Sequence, residues 1–324
     1  TEQFNQFEVN PKLEHSRTGI SLLKNTKFDL VIAVGGGSVI DTAKTINILA
    51  TQKNSDLVKY VNDNTLITER GLPLVAIPTT AGTGSEATHF SVVYVDKIKH
   101  SLAHRFMLPN YVIIDAELSY SLPPHITAAS GMDALSQAVE SYWSVKSTKE
   151  SKKLASEAII LILKALKSAV SGNKISIITM SKAANLAGKA INITETTAPH
   201  AISYPISTFF KLQHGHAVAL TLGFFFSINY NFLDCDIIDT RGGAYVRNTM
   251  EELFGMFNVK SELECKQEWY LLMDAIGLDS YIKNIGILTE SDINKVISGV
   301  NLDRLKNNPV RLSVKKLKEI FSHK

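Results

Sequence analysis

DLVIAVGGGSVIDTAKTINILA, residues 29–50, decides the fold. Its first six residues are a short, β-branched apolar run, which predicts a strand buried on both faces. Gly35, Gly36, Gly37 and Ser38 follow, then apolar residues at helical spacing that carry Asp41 and Lys44. Glycines between a strand and a helix let the backbone approach a phosphate closely. The helix N-terminus then adds N–H donors and the positive end of its dipole. The stretch is not a P-loop, because the GK[ST] ending is missing, and it is not G-x-G-x-x-G. A tight turn with no ligand is the plain alternative, and the strand–glycine–helix context favours a pyrophosphate site.

Outward from this unit the first third continues as α/β. PLVAIP (73–78) predicts a second buried strand that leads into TTAGTGSEAT (79–88). Thr79, Thr80, Thr83 and Ser85 there supply hydroxyls at the carboxyl end of a strand, where open α/β sheets bind ligands. They are expected to form a second wall of the same cofactor site. HFSVVYV (89–95) and YVIID (111–115) predict two more strands. The alternation of strand and helix signals favours one parallel, wound sheet. Only FEVNP (7–11) and one helix precede the glycine loop, so the opening βα unit is expected to be absent from this chain, a smaller variant of the domain being the alternative.

After SLPPHIT (121–127) strand signals nearly vanish. AASGMDALSQAVESYWSV, residues 148–170, MSKAANLAGKAINI, MEELFGMF, KQEWYLLMDAIG and SVKKLKEIFSHK all predict helices, residues 148–170 with charged and apolar faces. Pro123-Pro124 marks the boundary between an α/β domain over 1–122 and a helical domain over 123–324. Within the helical part Asp133 and Gln137 lie four apart and share a helix face. His200 lies in TAPH, and His214 and His216 lie in QHGH, with His214 fourteen residues after His200. One carboxylate and two imidazoles suit a divalent metal with open positions, though such long gaps are weak evidence by themselves.

Composition excludes several classes. The chain has 324 residues, 45% hydrophobic and 20% charged, as globular proteins do. Lys plus Arg number 34 against 31 Asp plus Glu, a net +3 that argues against a nucleic-acid footprint. Two cysteines, Cys235 and Cys265, rule out a disulfide framework and suit a reducing compartment. TEQFNQFEVN has no signal-peptide pattern, and the greasiest run, Ala217 to Tyr230, is too short and polar to cross a bilayer. A cytoplasmic, membrane-independent protein is expected.

Taken together, the motifs resemble the iron-containing (group III) alcohol dehydrogenases of the dehydroquinate synthase-like superfamily. GGGSVIDTAK is similar to the family's dinucleotide motif and IPTTAGTGSEAT to its second cofactor segment. GMDALSQAVESYWS is similar to the helix with the first metal ligands, and APH with QHGHAVAL to the segment with the others. The resemblance runs from about residue 7 to the C-terminus. It implies a Rossmann-like domain that binds NAD or NADP, an all-helical domain that binds Fe²⁺ or Zn²⁺, an active site between them, and a homo-oligomer. Metal ligands would be Asp133, His200 and His214. Cofactor contacts would come from Gly36, Gly37, Ser38, Asp41, Thr79, Thr80, Thr83, Ser85 and Lys99, with Asp41 either ordering the glycine loop or bonding the carboxamide side.

Two positions depart from the family. Gln137 stands where a fourth, histidine ligand is usual. It ligates weakly, or a water replaces it, or metal affinity is lost. Tyr204 stands where a histidine often faces the substrate, and a phenol can still donate to a substrate oxygen or relay a proton. Several stretches, among them SEATHFSVVYVD, TTAPHAISY and HGHAVALTLG, resemble one branch, the phosphonoacetaldehyde reductases. That resemblance implies NAD(P)H-linked reduction of phosphonoacetaldehyde to 2-hydroxyethylphosphonate, with the metal as Lewis acid. Tyr204 and His216 are the expected catalytic side chains, and His89, His104, Arg105 and His216 the candidates for the phosphonate. A general short-chain aldehyde or diol dehydrogenase and a non-catalytic binding homologue remain as alternatives, with a dehydroquinate synthase-like lyase disfavoured by the scarcity of basic residues.

Overall fold

The computed structural model describes residues 1–6, 11–96 and 98–322. Most of FEVNP, Lys97 and the last two residues therefore lie outside the described part. The chain forms two compact units, Thr1–Ser119 and Tyr120–Lys324.

In the first unit α1 (Leu13–Asn25) precedes β1 (Val31–Gly35), α2 (Gly37–Ala50) and α3 (Leu57–Asn62). Four strands follow: β2 (Leu74–Pro78), β3 (Phe90–Val95), β4 (Ile98–Ala103) and β5 (Tyr111–Val112). β1, β2 and β5 make a parallel sheet in that order, with Val31 opposite Leu74 and Val75 opposite Tyr111. α2 is the centre of the unit. Ile40 packs on Ala33, Leu74 and Ala76 of this sheet. Ile46, Ile48 and Leu49 meet Leu13 and Ile20 of α1 and Val93 and Leu102 of β3 and β4.

Two sequence expectations are corrected here. β3 does not join the parallel sheet. It pairs antiparallel with β4, Val95 opposite Ile98, in a separate two-stranded sheet that turns at Asp96 (φ +48°). The KHSLA stretch of β4 alternates too irregularly between charged and apolar residues to have been read as a strand. Second, β1 is not buried on both faces: Ile32 is 59% and Val34 52% exposed. α2 covers one face of the sheet, and among the described residues nothing covers the other. The predicted strand over 111–115 shortens to Tyr111–Val112.

The second unit is helical: α4 (Pro124–Trp143), α5 (Lys149–Val170), α6 (Lys174–Thr194), α7 (Ala198–Phe210) and α8 (His214–Tyr230). α9 (Gly243–Met256), α10 (Glu262–Ala275), α11 (Glu290–Ser298), α12 (Leu302–Leu305) and α13 (Val314–Ser322) complete it. Pro124 opens α4, where a missing N–H costs nothing. α5 starts at a capping box in which Thr148 and Ser151 satisfy each other's backbone N–H. α4 packs against α5, α6 and α8 and is buried over nearly its whole length. Trp143, Phe226 and Trp269 pack edge to face in its core. No helix among the described residues is long and apolar enough to cross a membrane.

Candidate metal centre and cofactor loops

The glycine loop and the Thr/Gly loop lie side by side. The Thr79 N–H donates to the Gly35 carbonyl at 3.0 Å. Gly37 packs against Thr83, and a Cβ on it would stand 2.6 Å from the Thr83 methyl. Thr80 lies beside Gly36 at ordinary contact distance, 3.4 Å from where a Cβ would stand. A side chain at Gly37 would push the two loops apart. The first turn of α2 begins here, so its unsatisfied N–H groups and the hydroxyls of Ser38, Thr80 and Thr83 belong to one surface. These residues fit a dinucleotide pyrophosphate.

Of the two roles expected for Asp41, ordering the glycine loop or contacting the cofactor, the fold takes the first, and it uses the Ser85 side chain internally as well. The Ser85 hydroxyl donates to the Asp41 carboxylate, whose other oxygen accepts the Val92 N–H at 2.8 Å. Asp41 thus ties α2 to the loop and to β3. Burial raises its pKa, and Lys44, Ser85, the Val92 N–H and Lys99 oppose that rise. Lys99, on β4, therefore acts on Asp41 through its charge. Lys44 is 1% exposed, and its ammonium donates to the carbonyls of Ser85, Thr88 (2.8 Å) and Phe90 (2.9 Å) and to the Thr88 hydroxyl. Burial lowers its pKa to about 8, against the pull of Asp41 and Glu86.

In the helical unit Asp133 on α4, His200 on α7 and His214 at the start of α8 converge, with one ligand atom from each within 4.8 Å of the others. His200 Nε2 is 3.4 Å and His214 Nε2 3.8 Å from Asp133 Oδ1. Gly215 lets α8 reach α4, because a Cβ there would lie 2.0 Å from the Ala129 carbonyl oxygen. The ring nitrogens turned away from the centre are engaged. His200 Nδ1 is bound by Glu140, and His214 Nδ1 lies 3.4 Å from the Ser203 hydroxyl. Glu140 is wholly buried on α4, two turns after Asp133. Its other oxygen accepts the N–H groups of Thr197 (2.9 Å) and His200 (3.3 Å) and the Thr197 hydroxyl (2.9 Å). It both locks α7 to α4 and orients the His200 ring.

Burial disfavours a charged His200, but Glu140 and Asp133 outweigh it, and the pKa is pushed up to about 10. The site is thus built for a positive charge. A divalent metal would displace that proton. One carboxylate and two imidazoles, one backed by a second carboxylate, are a donor set that fits such an ion. Gln137 lies beside it, its amide N–H donating to Asp133 Oδ2 at 3.2 Å.

Tyr204, on α7, stacks on the His214 ring with centroids 5.7 Å apart and planes 17° apart. His216 is not gathered with the cluster. Two residues after His214 it points to another side of α8, where its Nε2 donates to the Asp279 carbonyl at 2.7 Å and burial lowers its pKa. His89, His104 and Arg105 all lie in the first unit. The His104 ring accepts the Phe106 N–H, and Arg105 lies over the Phe106 ring. Sequence reasoning missed Glu140 and Arg304. A buried carboxylate two turns from a ligand, in an otherwise apolar helix, was the available signal for Glu140. Arg304 donates from Nη1 to the Tyr204 hydroxyl at 3.1 Å, across a separation of 100 residues that no local pattern marks.

An α/β unit with a dinucleotide-type loop pair and a helical unit with an Asp/His/His centre define the class of metal-dependent nicotinamide oxidoreductases. Residues 1–116 match the family model "Iron-containing alcohol dehydrogenase", and residues 127–324 match that of the C-terminal part of the same family. The chain is 35% identical to long-chain-alcohol dehydrogenase 1 of Geobacillus thermodenitrificans over 286 residues, 86% of this chain and 70% of that protein. It is 33% identical to a phosphonoacetaldehyde reductase of Streptomyces viridochromogenes over 242 residues. That match spans 71% of this chain and 61% of that protein, less than two thirds of its length. The sulfoacetaldehyde reductase of Bifidobacterium kashiwanohense, solved in complex with NAD⁺, superposes with a TM-score of 0.87 at 30% identity. The superposition covers 99% of this chain and 83% of that one. The chain belongs to the iron-containing alcohol dehydrogenase family, whose cofactors are NAD(P) and a divalent metal. Its relatives at similar identity carry different substrate names, so the family is fixed more finely than the substrate.

Proposed function

We propose that this protein reduces a small aldehyde to the primary alcohol with NAD(P)H at a metal held by Asp133, His200 and His214, and that the aldehyde is phosphonoacetaldehyde, giving 2-hydroxyethylphosphonate. The observation that carries the reaction is the convergence of these three ligands with Glu140 behind His200. When bound, the metal supplies Lewis acidity at a carbonyl oxygen, and the reduced nicotinamide supplies the hydride. The residues of this chain do the rest. Glu140 fixes the His200 ring so that Nε2 faces Asp133. Tyr204 stands beside His214 and offers a phenol to hold the substrate oxygen or pass it a proton. Gly36, Gly37 and Ser38 hold the pyrophosphate, and Thr79, Thr80 and Thr83 flank the rest of the cofactor. Asp41, Ser85 and Lys44 brace that loop from behind. His216, tied to Asp279, has no part in this scheme.

Support for the phosphonate comes from the reductase of Streptomyces viridochromogenes and from the solved sulfoacetaldehyde reductase, whose substrate is also a two-carbon aldehyde with an oxyanion tail. The free, exposed Cys235 suits a reducing, cytoplasmic setting, and a homo-oligomer is part of the same reading. The test is loss of reduced-nicotinamide absorbance with phosphonoacetaldehyde, acetaldehyde and butyraldehyde after loading with ferrous iron or zinc. Chelator-sensitive turnover that favours the phosphonate is the expected result. Turnover of the plain aldehydes alone would keep the reaction and remove the phosphonate. No turnover of any would remove both.

A further inference from the structure

We propose that Arg304 is the residue that binds the substrate's tail, gripping the oxyanion of an aldehyde that carries a phosphonate or sulfonate group. This deepens the reading above and rests on it. Arg304 lies in α12, and its guanidinium is 5.2 Å from the Tyr204 ring centroid while one N–H donates to the Tyr204 hydroxyl. The Tyr204 ring stacks on His214. The cation therefore stands one aromatic ring away from a ligand of the Asp/His/His centre. That arrangement suits a short substrate whose carbonyl lies between the centre and the phenol and whose charged end reaches past the phenol to the guanidinium.

The charge balance points the same way. A guanidinium has five N–H donors, and the hydrogen bond to Tyr204 uses one. Among the described residues no carboxylate lies within ion-pair distance of Arg304. Its neighbour Asp303 is held by Lys306 at 2.7 Å instead. Arg304 is half-buried, and a partly desolvated cation without a counter-ion is costly unless a ligand supplies one. A planar fork of donors matches a tetrahedral oxyanion through two parallel hydrogen bonds, which a lysine cannot reproduce. A neutral aldehyde would leave this grip unused. Arg304 lies in the same unit as the metal ligands.

The experiment measures kcat/KM of metal-loaded wild type, Arg304→Gln and Arg304→Lys on phosphonoacetaldehyde, sulfoacetaldehyde and butyraldehyde. Calorimetric titration of the same three proteins with ethylphosphonate and with ethanesulfonate gives a readout that needs no turnover. Two charge-assisted hydrogen bonds predict that Arg304→Gln lowers kcat/KM roughly 30-fold more on the preferred oxyanion-tailed aldehyde than on butyraldehyde, mostly through KM. Binding of the matching unreactive anion should weaken by a similar factor, with Arg304→Lys in between. The comparison of phosphonate with sulfonate identifies which oxyanion the grip prefers. Equal losses on all three aldehydes, or unchanged anion binding in Arg304→Gln, would overturn the proposal and leave Arg304 as a support for Tyr204. A wild type that reduces only butyraldehyde also overturns it, while the reductase reading survives. A wild type that reduces nothing yet binds ethylphosphonate through Arg304 supports the anion site and sinks the reductase reading.

Discussion

Lys44 and His200 are both buried and both ringed by oxygen, yet the two regions use them in opposite ways. Around Lys44 every donor is turned back into the protein, onto the carbonyls of Ser85, Thr88 and Phe90, so that the loop surface above it is left to backbone N–H groups and hydroxyls. Around His200 only the rear nitrogen is taken, by Glu140, and Nε2 faces Asp133 and the neighbouring His214. In the α/β unit buried charge shapes a neutral surface. In the helical unit buried charge is the surface. Substitutions should therefore fail in different currencies: folding stability in the first region, metal binding and turnover in the second.

His200→Ala is the strongest test of that division. Loss of an inner ligand should remove metal from the loaded protein and lower aldehyde turnover by about 1,000-fold or more, while far-UV dichroism stays that of the wild type. Metal content by atomic emission and turnover by nicotinamide absorbance check it. A variant that keeps stoichiometric metal would mean that the centre is not where Asp133, His200 and His214 converge.

Lys44→Met attacks the other side. Three carbonyls and a hydroxyl lose a buried, charged donor at once, which should cost about 3 kcal/mol of folding stability. Urea unfolding measures it, and metal content should stay at the wild-type level. A stability near that of wild type would refute the bracing role. Glu140→Gln should then split the difference. An amide cannot hold a His200 ring as a carboxylate does, so metal affinity should weaken by about 10- to 100-fold. Competition with a chelator of known affinity reads this directly, and an unchanged affinity would reduce Glu140 to a strut between α4 and α7.

The same contrast explains what was legible in the sequence. The glycine loop and the Thr/Gly loop were visible because they use residue types that ordinary packing does not call for in those places, whereas the Asp/His/His set, spread over long gaps, stood out only with the family resemblance. Metal ligation needs particular donor atoms, and close backbone approach needs glycine. The supports were not visible. Asp41 and Ser85 look like ligand-binding residues from composition, and only their bond to each other and to the Val92 N–H reveals them as braces. Glu140 resembles any helix carboxylate until His200 is packed against it. The β3–β4 hairpin escaped because β4 has a charged, irregular pattern, and the exposed face of β1 escaped because a run of β-branched residues does not say how many faces are covered. Arg304 and Tyr204 meet only through the packing of α12 against α7.

The comparison also carries a pH dependence set by Lys44 alone, and its sign is fixed. In the unfolded chain this lysine titrates at the ordinary value of 10.5, whereas burial brings the folded value down to about 8. Between those limits the unfolded chain binds more protons than the folded one, so stability rises with pH. The contribution is fully present above 10.5 and is lost as pH falls through about 8. It appears as the difference in unfolding free energy between wild type and Lys44→Met, which removes the titrations the two share. That difference should be flat from about pH 6 to 7.5 and then climb, by at most about 1.4 kcal/mol per pH unit. A difference that stays flat through this window and falls only as pH rises past about 10.5 would mean that the carbonyls of Ser85, Thr88 and Phe90 solvate the ammonium better than water does. The buried charge of the α/β unit would then be a stronger clamp than its burial implies, and closer in kind to the charged centre of the helical unit.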